Sequence, residues 1–267
     1  QSFIIENKPG ARSQIGVDYV SSSKPDGHTL LLTAGTSHLK ISGAGKSAAW
    51  EANNALAPIG QIAISPLFLT SAPNKPFKTL PELIAYSKAN PGKLNYASPG
   101  VGTYGHLISE WFKVQTGADL THIPHKSVGA GVLGLVTGDV GFLLTSIELI
   151  MSHVKAGKIR MLALAGNRRS SFLPDLPSSS EQGVRDFDPV QWVGMLVPAG
   201  VRSEIQNRLA ADVARIMADP AFRDDMIRRG LEPAPASGEQ FGARMKAEYA
   251  MWRDVIRKGN KIGRAHV

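Results

Sequence analysis

Short apolar runs alternate along the chain with stretches in which apolar residues recur every three or four positions. That alternation predicts strands interleaved with amphipathic helices, an α/β architecture. Strands are expected at 3–6, 28–33, 59–64, 68–71, 94–97, 120–123, 140–144, 161–165 and 193–198. Most of these runs are too apolar to have one solvated face, so interior strands of mostly parallel sheets are expected.

Helices fall between the strands. Thr79 is a suitable N-cap, Pro81 lies in the first turn behind it, and Asn90-Pro91-Gly92 is a stop signal. Further helices are expected at 105–115, with Leu107, Ile108, Trp111 and Phe112 on one face, and at 129–137, 203–217, 219–229 and 239–258. No repeat or low-complexity linker interrupts the pattern. Two domains joined by short crossovers are expected, the first formed by 1–98 plus 197–267 and the second by 99–196.

Composition narrows the function classes. The 267 residues are 43% hydrophobic and 19% charged, in the range of a globular protein. The most apolar stretch, 142–150, is interrupted by Thr145, Ser146 and Glu148, and no run approaches the roughly 20 apolar residues of a membrane span. Cysteine is absent, which excludes disulfides, a thiol nucleophile and thiolate metal sites. The net charge of +8 is spread over the chain, with Arg168-Arg169 and Arg228-Arg229 the densest pairs and no basic-aromatic interleaving. A diffuse positive field suits small anions, and nucleic acid is not an expected partner.

Three loops could carry binding chemistry. Ser98-Pro99-Gly100-Val101-Gly102-Thr103 joins an expected strand to an expected helix. Glycines let backbone N–H groups approach a ligand, and a helix start adds donors and positive potential, so an anion could sit there with the Thr103 hydroxyl as a further donor. A plain strand-to-helix turn capped by Thr103 is the alternative. Thr36, Ser37 and His38 follow an apolar strand and could bond a polar ligand, or form an ordinary turn. In Ala11-Arg12-Ser13-Gln14, Arg12 could pair with a carboxylate or point to solvent.

Catalytic patterns are lacking. His122 and His125 lie at a strand end with no acidic neighbour in sequence, and they read as cleft-lining or structural rather than as metal ligands. There is no G-x-S-x-G elbow, no P-loop lysine and no complete dinucleotide fingerprint. Polar grips without a nucleophile or base point to binding rather than turnover, with no metal or cofactor.

Taken together, the segments Ile5-Glu6-Asn7-Lys8-Pro9-Gly10-Ala11, Lys24-Pro25-Asp26-Gly27-His28, Pro91-Gly92-Lys93-Leu94-Asn95-Tyr96-Ala97-Ser98, Gly100-x-Gly102-Thr103-x-x-His106-Leu107, His122-Ile123-Pro124-His125-Lys126 and Leu173-Pro174-Asp175-Leu176-Pro177 resemble one family. It is the Bug or TctC-like binding proteins of tripartite tricarboxylate transporters. The resemblance implies a two-domain, type 2 periplasmic-binding-protein-like fold that closes on its ligand across a cleft, a periplasmic location, a small carboxylate ligand and membrane permease subunits as partners. It places the ligand loops at Ala11, Arg12, Ser13 and Gln14, at Thr36, Ser37 and His38, at Ser98, Gly100, Gly102 and Thr103, and at His125, Thr145 and Ser146.

The chain departs from the family pattern in three respects. Members usually carry a strand and a Pro/Gly-rich loop before the position of Phe3, and this sequence, which has no initiator Met or leader, is expected to be a processed or truncated product lacking them. The family often has Asp where Thr145 stands, and Thr145-Ser146 would suit a ligand without an ammonium group. Glycines after Ala11 and an aromatic ring at His125 are also common, so Arg12-Ser13 and His125 imply a more cationic cleft. The tail Gly263-Arg264-Ala265-His266-Val267 fits no family pattern and reads as vector-derived. Alternatives are a ligand sensor for a membrane receptor, or a small-molecule transferase with Glu148 or Asp139 as its acidic group.

Overall fold

The computed structural model describes residues 2–8, 10–35, 39–42, 49–52, 54–170 and 173–259. In chain order the regular elements are α1 (Gln14–Ser21), β1 (Leu31–Ala34), β2 (Leu39–Ser42), β3 (Ala49–Ala52), β4 (Leu56–Ser65), β5 (Leu67–Ser71), α2 (Leu80–Ala89), β6 (Asn95–Ser98), α3 (Tyr104–Thr116), β7 (Thr121–Pro124) and α4 (Val128–Thr137). They continue with β8 (Phe142–Ser146), α5 (Ile147–Lys155), β9 (Arg160–Leu164), β10 (Gln191–Pro198), α6 (Ser203–Ala218), α7 (Pro220–Arg228), β11 (Glu232–Ser237) and α8 (Gly238–Gly259).

Two compact units result. The first gathers Gln1–Ile64, Trp192–Arg228 and Glu232–Met251; the second gathers Ser65–Gln191, Arg229–Leu231 and Trp252–Val267. The chain thus passes to the second unit after Ile64 and not after residue 98, and it returns at Trp192 and not at residue 197. The reason is strand pairing: β5 lies between β8 and β9 in the second unit's sheet, so the chain changes unit inside the apolar run that holds β4 and β5.

The α/β class is observed, but the sheets are mixed rather than mostly parallel. In the first unit the order is β1-β10-β4-β11, with β1 antiparallel to β10 and β11 antiparallel to β4. In the second it is β7-β6-β8-β5-β9, where β6 runs parallel to β7 and β8 while β5 is antiparallel to β8 and β9. Every residue of β5 and of β8 is buried. Burial of both faces produces a continuous apolar run whatever the strand direction, so apolarity alone could not report it.

Local signals account for the helices. Thr79 accepts from the Glu82 N–H and caps α2, Ser127 accepts from the Ala130 N–H and caps α4, and left-handed glycines at 117 and 138 end α3 and α4. The segment 3–6 is not a strand: Phe3, Ile4 and Ile5 are 80%, 87% and 87% exposed, and among the described residues no strand pairs with it. The β2–β3 hairpin, α5 and β11 were not anticipated as elements. β11 carries Pro233 and Pro235 at the edge of its sheet, with a register shift between Pro233 and Ala236 where the Gln61 side chain donates to the Ala234 carbonyl.

Each unit has its own core. In the second, Phe68, Ala97, Val132, Leu135, Leu143, Ile147 and Ile150 close on the sheet, while Phe112 stacks on Phe142 at 5.3 Å. In the first, Val17, Val20, Leu56, Leu196, Trp192 and Phe241 pack together, the two rings edge to face at 4.8 Å. Trp192 Nε1 donates to Glu248 Oε2 at 2.8 Å, and burial raises the Glu248 pKa to about 7 against the pull of Trp192 and Arg244.

Gly194 is the tight point of the first core. A Cβ there would stand 2.4 Å from Phe241 Cζ, and Phe241 is wholly buried with no room to retreat. Glycine in a strand normally weakens it, yet here the clash decides the sign. Gly194→Ala is expected to destabilise the protein by roughly 2 kcal/mol in urea unfolding. Unchanged stability would mean that the Phe241 ring is free to shift.

Candidate functional site

The second unit's sheet brings several chain turns to one edge. Because β7, β6 and β8 are parallel, their carboxyl ends lie together, carrying His125, Ser98 with its glycine loop, and Thr145-Ser146. The His125 N–H donates to the Ser98 carbonyl at 2.9 Å, tying two of these turns. β9 is antiparallel to β5, as β8 is, so it also ends at this edge, where the Ala165 N–H donates to the Leu67 carbonyl at 2.8 Å. In open α/β sheets, ligands bind outside the carboxyl ends of such strands.

The glycine-rich turn is built differently from the expected anion cradle. Gly100 (φ 126) and Gly102 (φ 78) occupy backbone regions that side chains disfavour, which is why the turn needs them. The Gly100 N–H donates to Ser98 Oγ at 3.2 Å, and the Gly102 N–H donates to His106 Nδ1 at 3.2 Å. Thr103 Oγ1 donates to the Gly100 carbonyl at 2.7 Å, so it closes the turn, makes no cap bond and is not an open donor. The N–H groups of Gly100, Gly102 and Thr103 are thus all hydrogen-bonded within the protein, the last to the Gly100 carbonyl at 3.3 Å.

Beneath the loop lies a group of polar side chains that sequence reasoning left unconnected. Ser98 Oγ is 2.7 Å from His122 Nε2, the His106 and His122 rings are 4.5 Å apart, and Tyr96 stacks on both at 6.5 and 4.9 Å. Tyr96 OH donates to Glu110 Oε1 at 2.7 Å, and Lys113 Nζ reaches the same oxygen at 2.7 Å. Burial, and then the neighbouring His122, lower the His106 pKa from its ordinary 6.5 to about 4; burial also lowers that of His122 and raises that of Tyr96. One signal was available: His106 follows Gly102 by four residues, in the first turn of α3, where a side chain can reach back to an unbonded N–H.

The remaining expected residues fare unequally. Thr145 is 3% exposed, and its Oγ1 is buried without a hydrogen-bond partner among the described residues. Ser146 Oγ donates to Glu148 Oε1 and is therefore occupied. His125 is half-buried, with Nδ1 3.0 Å from the Ile123 carbonyl and its ring against Gly134 of α4. In the first unit, residues 11–13 form a 3-10 turn in which Ala11 (φ 44) and Ser13 (φ 71) adopt left-handed conformations that glycine would hold without strain. Gln14 donates to Asp18 within α1. The Arg12 side chain and the residues Thr36, Ser37 and His38 lie outside the described residues. Among the described residues no group of three potential metal ligands forms, and no helix is long and apolar enough to cross a membrane.

The model of the tripartite tricarboxylate transporter family receptor matches residues 1–261. The chain belongs to that receptor family. Protein BugT of Bordetella pertussis is 28% identical over 97% of this chain and 79% of its own length. An R. palustris protein solved with adipate superposes with a TM-score of 0.86 at 27% identity, over 97% of this chain and 87% of the other. The periplasmic binding protein BugD does so with a TM-score of 0.82 at 26% identity, over 96% and 86%. The two-domain binding-protein fold is therefore shared, and the family is one of solute-binding receptors rather than enzymes.

The buried imidazole makes the receptor's stability depend on pH. A histidine whose pKa is lower in the fold than in the unfolded chain binds its proton more readily when unfolded. The receptor should therefore lose stability as pH falls from about 6.5 toward about 4, by up to roughly 3 kcal/mol from His106. His106→Asn keeps an acceptor for the Gly102 N–H but cannot titrate, and is expected to show a smaller fall in urea midpoint between pH 7.5 and 4.5. An equal fall in both proteins would rule out His106 as the source.

Proposed function

We propose that this chain is an extracytoplasmic receptor that captures a small organic acid, a dicarboxylate or an aromatic carboxylate, and presents it to the permease of a tripartite tricarboxylate-type transporter. Family membership over residues 1–261 supports the transport role and a periplasmic place of work. The observation that carries the ligand class is the R. palustris relative determined with adipate, whose fold matches 97% of this chain. The carboxyl edge of β7, β6 and β8 supplies the binding surface on the second unit. Thr145 contributes an oxygen there that has no partner within the described chain. Ala11, Arg12, Ser13, Gln14, Thr36, Ser37 and His38 are the first unit's contributors in this reading.

The position of Thr145 bears on selectivity. A carboxylate at that place would hold the ammonium group of an amino acid and repel a second carboxylate. A threonine hydroxyl can donate to an anion instead. The ligand is accordingly an acid without an ammonium group.

Calorimetric titration against adipate, shorter dicarboxylates, aromatic acids and amino acids tests this directly. Dicarboxylates or aromatic acids are expected to bind, and tighter binding of amino acids would overturn the assignment. Thr145→Val offers a second check with two readouts. Removing a buried hydroxyl that lacks a partner should leave unfolding stability unchanged or raise it by about 1 kcal/mol, while affinity for the bound acid falls about tenfold. Retained affinity would remove Thr145 from the site.

A further inference from the structure

The Ser98–Thr103 turn is tied by hydrogen bonds to two histidines of the elements beside it. A Cβ placed on Gly100 would meet no atom within 4 Å, so neighbouring side chains do not fix the turn at that residue. Its restraints include hydrogen bonds, and two of them end on imidazoles, the buried His106 and the half-buried His122: Gly102 N–H to His106 Nδ1, and Ser98 Oγ with His122 Nε2. Ser98 Oγ also accepts the Gly100 N–H, so each histidine governs one glycine, His106 directly and His122 through Ser98.

We propose that His106 and His122 are a positioning pair for the ligand loop, His106 being the member whose neutral Nδ1 keeps Gly102 in its binding conformation. This rests on the carboxylate-receptor reading for the loop's role, but not for its geometry. The two histidines differ in what a proton would do. A proton on His106 Nδ1 would set donor against donor at the Gly102 N–H. A proton on His122 Nε2 is tolerated, because the Ser98 hydroxyl can turn to the Gly100 carbonyl 3.1 Å away.

Burial, ahead of the neighbouring charges, lowers the pKa of both histidines. Facing the pair are Tyr96 from β6, Glu110 and Lys113 from α3, and His125 beyond β7. Glu110 Oε1 accepts from Tyr96 OH and Lys113 Nζ, both at 2.7 Å. The one carboxylate of the group is thus balanced by a lysine, and the hydrogen bonds it accepts come from Tyr96 and Lys113.

Amide hydrogen exchange on the full chain, with adipate titration alongside, tests the proposal. His106→Leu is expected to speed exchange at Gly102 at least tenfold and to weaken adipate binding about tenfold, while β5 amides stay protected. His106→Asn should restore both to within about threefold, which a merely space-filling role would not produce. If the leucine variant fails to fold, wild-type Gly102 protection, corrected for intrinsic rate, should still fall about tenfold between pH 7 and 4 and stay flat in His106→Asn. Unchanged Gly102 exchange in His106→Leu, or no rescue by asparagine, overturns the positioning role. Absence of adipate binding in the wild type would count against the ligand class instead, and Gly102 exchange would then decide the positioning question.

Discussion

The parallel pairing of β6 with both β7 and β8 is the constraint on which the second unit depends. A parallel neighbour on each side forces three carboxyl ends onto one edge of the sheet, and it forces each strand to be followed by a helix that returns to the other edge. The chain obliges with α3 after β6, α4 after β7 and α5 after β8. The polar residues at the strand ends, Ser98, His125, Thr145 and Ser146, therefore lie along one edge without any of them being near another in sequence, apart from the last two. β5 inserts next to β8 in the opposite direction and completes the sheet without disturbing that edge.

Much of this was legible because the local signals agreed with the global fold. The N-cap at Thr79, the Pro91-Gly92 stop and the alternation of runs located α2, α3, α4, α6, α7 and α8 and the strands from β4 to β10 closely. What failed had physical causes. Strand direction was invisible because β5 and β8 are buried on both faces, which erases the alternation that distinguishes a half-solvated antiparallel strand. β11 gave no strand signal because its two prolines suit only an edge strand with an irregular register. The unit boundary was misplaced because no linker composition marks it: the chain simply passes from β4 to β5 through Ser65 and Pro66.

The site was legible as a list of loops but not as chemistry. Glycines and a helix start at Gly100–Tyr104 suggested open donors, whereas the structure directs Gly100, Gly102 and Thr103 into bonds within the turn. A turn built on two positive-φ glycines would be loose by itself, since glycine has the most conformational freedom to lose. Internal hydrogen bonds remove that freedom before a ligand arrives, so less ordering cost falls on binding. The supports of the turn, His106 and His122, are residues whose spacing gave no metal or catalytic pattern.

Thr145 and the imidazole pair follow the same electrostatic logic. An uncompensated carboxylate about 4 Å from a bound carboxylate would cost on the order of 4 kcal/mol at the effective dielectric of a protein surface, enough to weaken micromolar binding to about millimolar. A threonine leaves instead one unbonded hydroxyl, a penalty of about 1–3 kcal/mol in the empty protein that a ligand oxygen can relieve. Neutral imidazoles beside the loop likewise add no charge of their own, and the buried carboxylate next to them, Glu110, is matched by Lys113. Under the proposed function, selection for an anion would work by withholding negative charge from the strand ends and leaving the Thr145 hydrogen bond unmade, rather than by placing a fixed positive charge against the ligand.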